Sequence, residues 1–169
     1  MIFLAHFLEK PNRLIFFPIF YFLALVWSLL HQMRIKFGRY EKMPLPVVCV
    51  GNITLGGAGK TPTVIFLASY LKKNNLNVHV VSRGYRGKFK DTVFVDRRHH
   101  NASDVGDEPL LISRHTNVWV SRKKRDGVLS AYEAGADIVL LDDGHQNFSI
   151  EKNISILVFD AELSLTNEQ

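Results

Sequence analysis

Four short clusters in this chain have the residue types and spacing to handle phosphate. The first is "GNITLGGAGKTPTV", residues 51–64, which contains Gly59-Lys60-Thr61, the closing signature of a phosphate-binding loop. The general pattern asks for Gly five positions before Gly59, and Thr54 stands there instead. In this reading Thr54, Leu55, Gly56, Gly57, Ala58, Gly59, Lys60 and Thr61 wrap the phosphates of a nucleoside triphosphate. Backbone N–H groups and a helix N-terminus face the anion, Lys60 reaches the outer phosphates, and the Thr61 hydroxyl ligates Mg²⁺. The second cluster is "DIVLLDDGHQN", residues 137–147, where an apolar run delivers Asp142 and Asp143 to a strand tip. A divalent ion offsets the mutual repulsion of such a pair, although Asp-Asp-Gly also reads as a plain turn. The third, "SRGYRG" (82–87), sets Arg83, Tyr85 and Arg86 on a glycine-flexible loop. Arginine forks match phosphate oxygens and so suit an anionic substrate, and a solvated basic loop reads the same way. The fourth, "SDVGDEP" (103–109), places Asp107 ahead of a helix beginning near Pro109. Asp107 either caps that helix or takes the proton of an attacking hydroxyl, and the sequence allows both. A further stretch, "SRKKRDG" (121–127), reads as a solvated helix start with an arginine free to face phosphate.

These clusters need elements to hold them. "PVVCVG" (46–51) is a short β-branched run, read as a buried parallel strand. "TPTVIFLASYLKKN" (61–74) carries Val64, Leu67, Ala68 and Leu71 at helical spacing, with Pro62 in the first turn, where a missing N–H costs nothing. Strands are expected over 77–84, 92–96, 117–121, 136–144 and 154–160, and helices over 108–115 and 124–135. Near-continuous apolar strands joined by helices predict an α/β fold, a phosphate-loop NTPase-like parallel sheet with helices on both faces. Ligands of such sheets bind at the carboxyl ends of the strands, where all four clusters lie.

The chain has 169 residues, enough for about one domain, and 47% of them are apolar. That apolar content is uneven. Residues 14–30, "LIFFPIFYFLALVWSLL", run uncharged for 17 positions, the short end of what spans a bilayer. No small-residue cleavage site follows, which argues against a signal peptide. An N-terminal membrane-anchoring helix over about 14–30, within a segment 1–33, is therefore expected, with a helix lying in the interface as the alternative. A basic linker over 34–45 and a phosphate-loop domain over 46–169 complete the expected organisation. Arg34, Lys36, Arg39 and Lys42 after the run outnumber Lys10 and Arg13 before it, which orients the phosphate loop toward the cytoplasm. The same basic stretch suits anionic lipid, so the net charge of +5 and pI near 9.4 call for no nucleic acid partner. The single cysteine, Cys49, reads as a buried small residue, excluding a disulfide framework.

The order "VGNITLGGAGKTP", "SRGYRG", "GDEP", "DDGHQ" behind an apolar N-terminus closely resembles the tetraacyldisaccharide 4′-kinase family, over about residues 10–160. In that family Thr takes the place of the first loop Gly, as at Thr54 here. The resemblance implies an ATP- and Mg²⁺-dependent kinase at the bacterial inner membrane, with its catalytic domain facing the cytoplasm. It transfers the γ-phosphoryl group to the 4′-hydroxyl of a lipid A precursor, a tetraacyldisaccharide 1-phosphate. It further implies Asp107 as the base and Lys60 as a catalytic cation. Asp142 and Asp143 would sit at the metal and nucleotide, and Arg83 and Tyr85 near the lipid headgroup.

Two departures accompany the resemblance. Family members often carry a histidine where Asn147 stands, with His145 and Gln146 before it. They are also longer, and their second half supplies a histidine that pairs with the catalytic aspartate. A truncated, catalytically inactive, membrane-anchored nucleotide-binding protein is the alternative. A partitioning-type ATPase is disfavoured, because its signature lysine before Gly-Gly is Leu55 here.

Overall fold

The computed structural model describes residues 17–37, 40–52, 59–144 and 149–159. The chain divides into two units, Met1–Arg39 and Tyr40–Gln169. In the first, a helix α1 spans Phe17–Phe37. The expected bilayer-spanning anchor is not met, since among the described residues no helix is long and apolar enough to cross a membrane. Length is the reason. The apolar part of the described helix, 17–30, extends about 21 Å at about 1.5 Å per residue, against a hydrocarbon core of about 30 Å, and residues 14–16 of the expected run lie outside the described residues. The helix then continues through Gln32, Arg34 and Lys36.

The second unit is built on alternation of apolar residues. Strands β1 (Val47–Asn52), β2 (Val78–Ser82), β3 (Val93–Phe94), β4 (Asn117–Val120), β5 (Ile138–Asp142) and β6 (Ile154–Val158) form one sheet in the order β3-β4-β2-β5-β1-β6. Helices α2 (Lys60–Lys73), α3 (Ala102–Val105), α4 (Asp107–Ile112) and α5 (Lys124–Glu133) connect them. Odd and even strand positions bury on opposite faces, as period two requires. Val48, Val50, Val78, Val80, Val118 and Leu140 pack under α2 and α4 with Val64, Ala68 and Ile112. Val47, Cys49, Val81, Val139 and Leu141 pack on the other face against Val128 and Ala131 of α5. Five strands run parallel, so their carboxyl ends meet at one edge.

The exception is β3, which pairs antiparallel with β4 through Val93↔Val120 and Phe94↔Trp119. The loop after Ser82 carries no crossover helix, so the chain re-enters the sheet from the end it left and must run backwards. Residues 40–45, expected as the end of a linker, join the sheet unit. Glu41 donates its N–H to Ser149 and accepts one from Glu151, while Arg125 Nη2 lies 2.9 Å from the Glu41 carboxylate. Leu45 is buried in the core.

Candidate active site

The site grows from the tips of β1 and β5. Val50 pairs with Asp142, and the Asp143 N–H donates to the Val50 carbonyl at 2.9 Å. Helix α2 starts at Lys60 with Gly59 as its N-cap, no side-chain cap and no acidic residue in the first turn. Its leading N–H groups are thus left for an anion. The Lys60 ammonium lies 3.2 Å from the Asp143 carboxylate. Asp143 itself sits at φ 55, a left-handed conformation that a non-glycine residue keeps only where its surroundings enforce it.

Asp142 faces the other way, into the protein, and is 2% exposed. Its Oδ2 accepts a hydrogen bond from Ser82 Oγ at 2.9 Å. Its Oδ1 is buried and has no hydrogen-bond partner among the described residues. A buried carboxylate oxygen without a donor is costly and invites a cation. Thr61 lies half-buried in the first turn of α2. A hard carboxylate oxygen of Asp142 and the Thr61 hydroxyl are donors of the kind Mg²⁺ takes; it uses few protein ligands and completes its shell with water and phosphate oxygens. Among the described residues no group of three or more His, Cys, Asp or Glu forms an all-protein metal cage.

The opposite rim interlocks two of the sequence clusters. Lys88 N–H donates to Asp104 O at 2.9 Å and Phe89 N–H to the same oxygen at 3.3 Å, tying the 83–88 loop to α3. A capping box holds α3: Asn101 Oδ1 accepts from Ser103 N–H, and Asp104 accepts from Asn101 N–H. Gly106 then turns at φ 93, ψ 155, and a Cβ there would meet the Tyr85 carbonyl oxygen at 2.7 Å. Only glycine passes, and the turn launches α4 with Asp107 as its first residue. The capping alternative for Asp107 is not realised, because the N-cap is Gly106 and no side chain caps the helix. Asp107 is exposed and has no hydrogen bond or ion pair to a described residue. Its neighbour Glu108, which the sequence reading passed over, has its pKa raised first by partial burial, then by Asp142; Lys60 opposes, and Asp143 and Asp107 add to the rise. Glu108 thus lies within electrostatic range of Asp142, Lys60, Asp143 and Asp107. Arg83 is exposed on the 83–88 loop, and Tyr85 is 74% exposed with the Arg86 guanidinium 5.4 Å from its ring centroid.

Lys124 corrects the expectation of a solvated helix start. It is 4% exposed, and its amine donates to Val81 O at 3.1 Å and to Asp142 O at 2.7 Å. Burial holds the ammonium down to about 8, with Asp142 and Asp143 pulling against that shift. Thr54, Leu55, Gly56, Gly57 and Ala58, and His145, Gln146 and Asn147, lie outside the described residues.

Residues 14–169 match the family described as tetraacyldisaccharide-1-P 4′-kinase. The chain belongs to that family. It is 42% identical over 144 residues to the tetraacyldisaccharide 4′-kinase of Rhodospirillum centenum, covering 85% of this chain and 43% of the relative. The Dinoroseobacter shibae tetraacyldisaccharide 4′-kinase is 49% identical over 123 residues, 73% of this chain and 36% of its own length. The chain thus spans about two-fifths of the length of the curated relatives it matches. A crystal structure of LpxK from Aquifex aeolicus in complex with ATP superposes with a TM-score of 0.76 at 31% identity, covering 91% of this chain and 51% of that one. Membership in the tetraacyldisaccharide-1-P 4′-kinase family accords with the α/β sheet described above.

Proposed function

We propose that this chain carries the nucleotide site of a lipid kinase that moves the γ-phosphoryl group of ATP to the 4′-hydroxyl of tetraacyldisaccharide 1-phosphate. The observation that carries the proposal is the Lys60–Asp143 pair at the uncapped start of α2, next to a buried Asp142 whose Oδ1 has no partner among the described residues, within a chain of the tetraacyldisaccharide-1-P 4′-kinase family. Lys60 exchanges its Asp143 partner for the outer phosphates, and the first N–H groups of α2 neutralise the rest. Thr61, Asp142 and Asp143 are the residues that would hold Mg²⁺. Mg²⁺ held by them would offset the negative charge that develops on the phosphoryl group in transfer. Asp107, unpaired at the rim, takes the proton of the 4′-hydroxyl as its oxygen bonds to the γ-phosphorus and the bond to ADP breaks. Arg83 and Tyr85, exposed on the interlocked loop, meet the anionic headgroup.

The membrane enters through α1. Its Phe20, Phe22, Trp27 and Leu30 are each more than half exposed, around the helix rather than on one side. We place this apolar portion in lipid without crossing it, at the cytoplasmic face of the inner membrane.

The test uses γ-labelled ATP and the lipid in detergent micelles, with residues 1–169 alone and continued by the remainder of the Rhodospirillum centenum relative. Label is expected in the lipid. Asp107→Ala should slow transfer by about 10²- to 10⁴-fold while ATP affinity stays within about threefold. An unlabelled lipid with the continued chain, or an Asp107→Ala variant at the parent rate, overturns the proposal.

A further inference from the structure

We infer that Lys124 is a positioning residue: its amine clamps the carboxyl ends of β2 and β5 so that the Asp142 carboxylate is held in one orientation, with Oδ2 on Ser82 and Oδ1 left for a cation. The metal-directed part of this inference rests on the nucleotide-site reading above.

The ladder between β2 and β5 runs Val78↔Ile138, His79↔Val139, Val80↔Leu140 and Val81↔Leu141, and stops there. Ser82 and Asp142, the next residues on each strand, have no place in that register. Three side-chain bonds take over where the ladder ends. The Lys124 amine donates to Val81 O and to Asp142 O, and Ser82 Oγ donates to Asp142 Oδ2. Together with the Val81–Ser82 peptide these bonds close a ring through both strand tips. The ring fixes the Asp142 backbone and one carboxylate oxygen, which leaves Oδ1 without a partner among the described residues.

The placement of α5 serves this clamp. A Cβ on Gly127 would lie 2.6 Å from Val81 Cγ1 and 2.9 Å from Ser121 Cβ, so the missing side chain lets α5 press against β2. Lys124 is three residues earlier on the same helix face and is carried to within reach of the two carbonyls. A solvated surface lysine would make neither bond. An amine with two of its three donors committed to backbone oxygens is a strut rather than a phosphate hand.

Outer partners that orient a ligating carboxylate are worth about 10- to 100-fold in metal affinity. The experiment therefore measures ATP affinity of the whole chain by calorimetry, once with Mg²⁺ and once with a chelator, beside a thermal melt. Lys124→Met, of similar length but without donors, should lose about tenfold or more of the Mg²⁺-supported affinity and keep chelated ATP affinity within about threefold. Lys124→Arg, which restores donors and charge, should recover most of the loss. Ser82→Ala opens the ring from its other side and should show the same metal-selective loss, which keeps the question answerable if Lys124→Met fails to fold. Equal loss of both affinities in the folded variants, or no loss in Ser82→Ala, overturns the clamp and leaves the nucleotide site standing. A wild type that binds ATP in neither condition overturns the nucleotide site, and the inference with it.

Discussion

Replacing Gly106 by alanine should loosen the rim that carries Asp107 and Glu108. The backbone at φ 93, ψ 155 lies in a region essentially reserved for glycine, and holding another residue there costs about 1–3 kcal/mol. The new Cβ would sit 2.7 Å from the Tyr85 carbonyl oxygen, a backbone atom that no rotamer change can move. Overpacking of that kind adds about 1–3 kcal/mol. Reduced freedom of the unfolded chain returns about 0.4–1 kcal/mol, which leaves a net loss of about 3 kcal/mol. Gly135 supplies the comparison: it has φ 82, and its nearest neighbour is Asn77 Nδ2 at 3.9 Å. There alanine meets only the left-handed penalty of about 1–2 kcal/mol, for a net loss near 1 kcal/mol. Urea unfolding of both variants, with equal m-values, should separate them by about 2 kcal/mol. A Gly106→Ala protein no less stable than Gly135→Ala would refute the interlock between the 83–88 loop and the start of α4.

Two further outcomes follow from buried and exposed groups. His79 accepts the Trp119 indole N–H at Nδ1, and burial pushes its pKa down. The unfolded chain therefore takes up a proton on this ring first. Stability held above about pH 6.5 is lost as pH falls, and that part of the slope should vanish in His79→Gln when denaturation is compared at pH 7 and 5. Deleting residues 1–39 should release the chain from vesicles containing anionic lipid, scored by co-sedimentation. Sedimentation that survives both the deletion and a high-salt wash points to a second membrane surface.

Much of the sheet was legible because its signal is local. Six apolar runs, each bounded by Gly, Pro, Asn or Asp, are the six strands within a few residues at each end. The direction of β3 was not legible, because it depends on whether a crossover helix intervenes, and the glycine-rich 83–88 loop gives no periodic sign either way. Asp142 and Asp143 read alike in sequence, yet one is buried against Ser82 and the other is ion-paired toward solvent. Period two points neighbouring side chains to opposite faces, and the strand ends between them. Lys124 was hidden for a different reason. In an Arg-Lys-Lys-Arg run nothing local marks which cation is buried, and the answer lies in Gly127, whose missing Cβ matters only once β2 is beside it. The N-terminal run was read as an anchoring helix over about 14–30; its described part is helical, but it lies in a helix not long and apolar enough to cross a membrane, because the last turns carry polar residues.

The central claim is that the phosphates of ATP meet Lys60 at the start of α2, and titrating ATP into wild type and Lys60→Ala tests it most directly. A charge-assisted contact of this kind is worth about 1.5–3 kcal/mol, or about 10- to 150-fold in Kd. The Lys60–Asp143 pair contributes little to folding, since the Asp143 side chain is 65% exposed and such pairs are worth about 0–1 kcal/mol. The account predicts one ATP site per chain in the wild type, affinity reduced by that factor in Lys60→Ala, and nearly unchanged melting temperatures. Equal ATP affinity in the two folded proteins would contradict it.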